Sequence, residues 1–581
     1  MSFRKFRLGA AVIVALSVAL TTNVFALTIN RGMDGYWYEV DQDPAPRRGW
    51  AFQYLDGPGP EQGVLFVTGF VFDNEGNQLW LSGNTLIVDG QFDVDIELNR
   101  LEGGSFGPDA GTPTQEVWGS MNVTFNSCTS ADITFTSAEI DDFTNEFTHV
   151  STALGDNREE MCVYQTEFAG CPAGTTDGPQ PRTCVLEGTY NDDIHLTNDT
   201  YWLLNGAVFI GARAEEGDPV PDGPALSIEP GTRIIGLGGS TNALYISRGS
   251  KIMAEGTSFA PIVMTGVNSA TEGALSQDWG GLVINGAAPL NDGFEATGEG
   301  DSGYYGGADP DDSSGVLKYV RVQFAGEKIN DEDELNGIAF QGVGRGTVVD
   351  YIQVHRNADD GIEFFGGTVN AKHLVLTDIE DDSVDWTQGW QGRIQYVLVK
   401  QIQDETVDTD RGMELDNLED NFNAEPRSGG VMANVTLIGK AGATGSTMRR
   451  GTGGNFHNFI FTGFSSCLDI DDEATFTAAG TPQNLTGVLT MENTIVNCGT
   501  NFVEEDGGPW TVESFFNAQP GNVQVNPMLD DVFLPEDSPY LSGYELDPDI
   551  YDDFFDKVDY IGAFGSRESA WIWGWTDFLG F

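Results

Sequence analysis

A loose repeat between Ser314 and Glu473 restricts what this chain can fold into more than any other feature. Read from each small-residue corner, its units open SGVLKYVRVQFAG, RGTVVDYIQVHRN, NAKHLVLTDIE, QGRIQYVLVKQ, GGVMANVTLIGK and GGNFHNFIFTG. Most reach a second short run: NGIAF, DGIEF, DSVDW, RGMEL and finally CLDI. Openings recur every ~20–30 residues, the period of a solenoid. Strand-length β-branched runs between Gly/Asn corners, without helical periodicity, specify strands. One such unit cannot bury its own apolar face, so neighbours must stack. The reading is a right-handed parallel β-helix.

Alternation then assigns faces. One residue points out between two that point in, in Ile362-Glu363-Phe364, Val384-Asp385-Trp386, Met413-Glu414-Leu415 and Leu468-Asp469-Ile470. The first coil supplies Ile338-Ala339-Phe340, and the coil before Cys467 supplies Met448-Arg449-Arg450. Stacking predicts an outward column Ala339, Glu363, Asp385, Glu414, Arg449, Asp469. At the corner just upstream sit Asp359, Asp360, Asp381, Asp382 and Asp410, the last beside Arg411. Trp386 falls inward and belongs to the core. Trp390 lies nearer a corner and is a candidate ligand-binding side chain.

Like charges about 5 Å apart repel by roughly 0.8 kcal/mol in water and about 3 kcal/mol at an effective dielectric of 20. Such a column persists if solvent screens it, if protons neutralise part of it, or if cations bind. Calcium, which takes flexible sets of oxygen ligands, would use Asp359, Asp360, Glu363, Asp381, Asp382, Asp385, Asp410 and Glu414. A weaker calcium candidate is the Gly-rich loop with Asp309, Asp311 and Asp312, near the acidic insertion Asp331 to Glu334. A catalytic use of Glu363, Asp385 and Glu414 as paired carboxylates, with Arg411, is the competing chemistry.

The ends of the 581-residue chain differ in texture. Residues 1–26 read as a signal peptide: Arg4, Lys5 and Arg7, an apolar run from Leu8 to Leu20, then Val24-Phe25-Ala26 as a cleavage site. No later stretch reads as a transmembrane helix. Residues 27–167 alternate as an antiparallel β-sandwich or barrel, and 168–184 form a Gly/Pro/Thr-rich linker with two cysteines. The β-helix covers 185–540. An aromatic segment, 541–581, with Trp571, Trp573, Trp575 and Phe578, is expected to cap it, because an open solenoid end exposes core. Trp37, Trp50 and Trp80 are either barrel core or a ligand surface, core being the expectation. Net charge is −61, and losing the three positive charges of the signal makes it −64. That field excludes nucleic acid as a partner unless cations bridge. Six cysteines in an exported chain read as disulfides, and proximity suggests Cys128–Cys162, Cys171–Cys184 and Cys467–Cys498.

Two resemblances add to this. GYWYEV, RGWAFQYL and VTGFVFDNEGNQLWLSG resemble a small exported bacterial β-module. The succession ALSIEPGTRIIG, NALYISRGSKIMAEG, DWGGLVINGAAPLN, DDGIEFFGGTVNAKHLV resembles a family of exported bacterial surface proteins built on a pectin-lyase-like β-helix. NADDGIE and IEDDSVD loosely resemble coils of β-helix polysaccharide hydrolases, but no Gly-His-Gly or Arg-x-Lys accompanies them. The resemblance implies an extracellular or cell-surface protein that binds a glycan, a cation or a surface partner on an acidic platform. A carbohydrate-active hydrolase or lyase and a structural surface-layer component are the alternatives.

Overall fold

The computed structural model describes residues 26–577 apart from 28, 30–32, 34, 41–48, 57–61, 73–75, 77, 89–92, 103–113, 128, 150–163, 166–169, 181, 239–241, 270–274, 331–332, 403–408 and 547–550. Residues 1–25 of the expected signal peptide, the expected Cys128–Cys162 pair and Phe578 lie outside the described residues. In the N-terminal domain, eight antiparallel strands from Gly35–Glu39 to Ile140–His149 close into a barrel. The first strand pairs with the last, Trp37 opposite His149. Period-two alternation fills the lumen with Trp37, Trp50, Phe52, Phe125, Phe135 and Phe147. Gly69 is required there, because a Cβ would lie 2.6 Å from the Trp50 ring. Trp80 alone of the three expected core tryptophans faces outward.

A disulfide between Cys171 and Cys184 joins the linker to the first strand of the solenoid, Thr183–Tyr190. From there the strands stack in parallel to Val523–Gln524. The long run of each repeat is one strand with a bend in its middle. Tyr319, Tyr351, His373, Tyr396, Asn434 and Asn458 carry φ between 51° and 67°, and each interrupts the ladder, as between Asp350↔Lys372 and Ile352↔Leu374. Each coil is therefore a bent long strand plus the short strand. Inside, Phe340, Phe364, Trp386, Leu415, Met448 and Ile470 follow one another in register. Phe340 and Phe364 stack at 5.3 Å. Cys467 and Cys498 sit one coil apart, Cα atoms 5.5 Å from each other, and are bonded.

Closure differs from expectation. The end of the solenoid is covered by the helix Val512–Ala518, whose Val512, Phe515 and Phe516 pack against Met448, Leu468, Ile470, Leu489 and Met491. The aromatic C-terminal segment lies instead along the flank of earlier coils. Trp575 meets Tyr319 and Tyr351 edge-on at 5.9 and 5.8 Å, and Trp571 meets His373 at 5.0 Å. Outward amides on the flank hold the backbone of this strap. Gln353 exchanges two hydrogen bonds with Asp577, and Gln395 two with Asp556. Asn434 and Asn458 donate to the carbonyls of Tyr560 and Tyr544. The left-handed aromatic column would otherwise be exposed, so the segment does cover apolar surface, at the side and not the end.

Candidate metal centre

The short strands Ile338–Gln341, Ile362–Phe365, Asp382–Thr387, Arg411–Leu415, Thr444–Met448, Ser466–Ile470 and Thr500–Val503 stack in register. Their outward column runs Ala339, Glu363, Asp385, Glu414, Thr447, Asp469 and Val503. The expected Arg449 is two residues past the column, because Met448 pairs with Leu415 and Ser446 takes the inward place opposite Leu468. Arg449 nonetheless turns back to pair with Glu414 and, at 3.0 Å, with Asp416. Arg411 lies 2.9 Å from Glu414 and 3.5 Å from Asp382, and also pairs with Asp410.

The column is outward but buried. Asp382 is 3% exposed, Asp360 6%, Asp385 8% and Glu363 9%. A segment inserted between the strands Gly281–Asn285 and Gly315–Gln323 folds over this face. Leu290 and Tyr305 pack on the apolar upper part, with Tyr245, Val283, Ala339 and Phe365. At the boundary the buried amide of Asn336 donates to Glu299 of the insertion at 3.0 Å and to Glu363 at 2.7 Å. Asp360 accepts the backbone N–H of Asp382 on the next coil.

Burial pushes Asp359, Asp360, Glu363, Asp382, Asp385 and Glu414 up. Asp385 stands well above the carboxylate range through desolvation, then the charges of Glu363 and Glu414. Glu363 is raised by burial and then by Glu299, and Asp360 by burial and then by Asp359. Asp359 reaches about 7 through burial, Asp381 and Glu334. For Asp382 and Glu414, also raised first by burial, Arg411 opposes the rise.

Four groups bring one carboxylate oxygen from each of three residues within 4.8 Å of one another: Asp359/Asp360/Asp381, Asp360/Glu363/Asp385, Asp381/Asp382/Asp410 and Asp382/Asp385/Glu414. Asp360, Glu363 and Asp385 form no ion pair among the described residues, whereas Glu414 is shared by two arginines. One oxygen each of Asp382 and Asp385 is buried without a hydrogen-bond partner. An unpaired buried carboxylate oxygen is costly. A cation seated between the carboxylates removes that cost, and an all-oxygen donor set suits a hard ion such as calcium or magnesium over zinc.

The other candidates do not converge. Trp390, expected as a ligand-binding ring, is fully buried, stacks on Phe364 at 4.6 Å and donates to the Val369 carbonyl. It has no face to offer. Asp309 and Asp311 are exposed, Asp311 pairing with Arg345 at 2.6 Å. The Asp312 carboxylate accepts from the backbone of Ala287 and Gly344. None of the three joins a group of potential ligands among the described residues. Sequence reading passes over Asn336, Glu299 and Asp416. The NG and LDN phrases around Asn336 and Asp416 signal only corners.

A family model for the pectate-lyase like β-helix domain matches residues 188–524. No curated protein matches the chain. Among solved structures, the catalytic unit of a thermostable GH87 α-1,3-glucanase from Streptomyces thermodiastaticus strain HF3-3 aligns at 11% identity and a TM-score of 0.23, over 85% of this chain and 96% of that one. The catalytic domain of a GH87 α-1,3-glucanase in complex with tetrasaccharides aligns at 9% identity and a TM-score of 0.20, over 87% and 95%. Scores this low carry nothing about activity.

Proposed function

Because the chain belongs to the pectate-lyase like β-helix domain family, we propose that its coils form a rigid binding scaffold closed around divalent cations, with calcium as the ion. The family fold alone does not choose between binding and catalysis. The unpartnered buried oxygens of Asp382 and Asp385, inside sets of three converging carboxylates, carry the reading. The ions would sit with Asp360, Glu363 and Asp385, and with Asp382, Asp385 and Glu414. There they would hold the insertion down through Glu299 and Asn336. Two disulfides, and the absence among the described residues of any helix long and apolar enough to cross a membrane, accord with an exported or cell-surface protein. The test is thermal unfolding of the chelated protein with and without added calcium. A calcium-dependent rise in melting temperature supports the reading, and an unchanged curve ends it.

A hydrolase or lyase is the second reading. Raised carboxyl groups at Glu363 and Asp385 are what a general acid requires at neutral pH. Both, however, are less than a tenth exposed. Release of reducing or unsaturated ends from a polysaccharide, abolished by Glu363→Gln, would establish catalysis over binding.

A further inference from the structure

Three carboxylates in the middle of the column each keep an oxygen that nothing bonds. Asp382 Oδ1, Asp385 Oδ1 and Glu414 Oε1 are buried without a hydrogen-bond partner, and the three residues bring oxygens within 4.8 Å of one another. The guanidinium of Arg411 reaches this trio from the first residue of the strand Arg411–Leu415. It brings charge but little bonding. Its Nη1 lies 2.9 Å from Glu414 Oε1 without the alignment of a hydrogen bond, and 3.5 Å from Asp382 Oδ2. Its firmer bonds lead elsewhere: Nε donates to the Thr447 hydroxyl at 3.1 Å, and Nη1 donates to Asp410. The neighbouring trio, Asp360, Glu363 and Asp385, is built the other way. Glu363 accepts from Asn336 and Asp360 from the backbone of Asp382, and the arginines of the column pair with Asp382 and Glu414 instead.

We propose that Arg411 is a tethered counter-cation of the Asp382, Asp385 and Glu414 group, displaced when a divalent ion enters. The two groups that share Asp385 then fill at unequal affinity, the one with Asp360 and Glu363 first. This inference rests on the cation reading above. Without metal, buried carboxylates need a positive charge beside them, and Arg411 supplies it. A guanidinium is a planar fork, so its N–H groups cannot converge on oxygens from three residues as a spherical ion does. The ion meets the oxygens that the arginine leaves unbonded. A monovalent ion carries no more charge than the guanidinium it displaces, whereas a divalent ion adds a unit, so the exchange selects divalent ions. An ion about 2.4 Å from Glu414 Oε1 would lie within about 5 Å of an unmoved Nη1. Even at the dielectric of water, that repulsion costs about a factor of ten in affinity. The Arg411 side chain is 22% exposed and already bonded to Asp410 and Thr447, so it keeps partners when it yields the trio.

The test is calorimetric titration of calcium into the chelator-stripped full chain. Wild type is expected to bind in two unequal classes. Arg411→Gln removes the competing charge and should tighten the weaker class about ten-fold or more, leaving the tighter one within about three-fold. Its melting temperature in chelator should fall at the same time, because the metal-free trio loses its counter-charge. Arg411→Lys restores a charge and should hold the weaker class within about three-fold of wild type. Glu414→Gln should delete the weaker class alone, which tests the assignment even if Arg411→Gln does not fold. The inference is overturned by two equal classes in wild type, by loss of the tighter class in Glu414→Gln, or by Arg411→Lys binding as tightly as Arg411→Gln. It is also overturned if Arg411→Gln lowers the melting temperature with no change in calcium affinity, since the arginine would then be structural only. Those results leave the cation reading standing. No calcium binding by wild type or any variant ends that reading, and this inference with it.

Discussion

Replacing Asp385 with asparagine separates a cation centre from a hydrogen-bonded structural network. Asp385 shares groups with Glu363 and Glu414 whose oxygens approach within 4.8 Å. Each ionised pair at that distance repels by about 3.5 kcal/mol at an effective dielectric of 20, and about 0.9 kcal/mol in water. Partial protonation relieves some of this, so the metal-free protein should gain about 1–3 kcal/mol at pH 8 when the central charge is removed. With calcium the sign reverses. Free ion at a hundred times its dissociation constant stabilises by about 2.7 kcal/mol, a rise of about 5 °C for a large unit. The Asp385→Asn substitution would remove an anionic ligand from two groups and most of that gain. Calorimetric melts of wild type and variant, in chelator and in calcium, read both effects. A variant less stable than wild type in chelator, with the same calcium response, would refute the reasoning.

Asp359 has its pKa raised from 3.8 to about 7 by burial, Asp381 and Glu334. A carboxyl raised on folding stabilises below its unfolded pKa and loses that contribution as pH climbs to the folded one. In chelator, the stability difference between wild type and Asp359→Asn should therefore shift against wild type by about 3 kcal/mol between pH 4 and 7, measured by urea unfolding. Replacing Cys467 and Cys498 with Ser opens a 31-residue loop and should cost about 3 kcal/mol in the same assay. Trp575→Ala removes a side chain that is 1% exposed and bridges Tyr319 and Tyr351, and should cost about 3–5 kcal/mol. It should also speed proteolysis near the C-terminus, because the strap is anchored there.

The solenoid and most of the column are legible in the sequence because parallel stacking turns sequence period directly into spatial register. That is why Trp386 can be placed inward, and Glu363 over Asp385 over Glu414. The register slips at the one coil whose inward position is polar: Ser446 is fully buried, so Met448 matches Met413 by pattern when it stacks on Leu415. Burial of the column is not legible. The covering residues Leu290, Glu299 and Tyr305 precede the strands they cover by tens of residues, and no periodicity links them. The strap escapes a sequence reading for the same reason, although Gln353, Gln395, Asn434 and Asn458 mark a flank of amides seeking backbone partners. Trp390 misleads because a corner position need not be a surface one, and the coil is wide enough to admit a second indole beside Trp386 at 5.1 Å.

The most direct measurement is a crystal structure from calcium-containing solution, with the ion located by its anomalous scattering. The account predicts peaks between Asp360, Glu363 and Asp385, and between Asp382, Asp385 and Glu414, with oxygen distances of about 2.3–2.6 Å. Carboxyl groups hydrogen-bonded to one another or to water, with no anomalous peak among them, would contradict it.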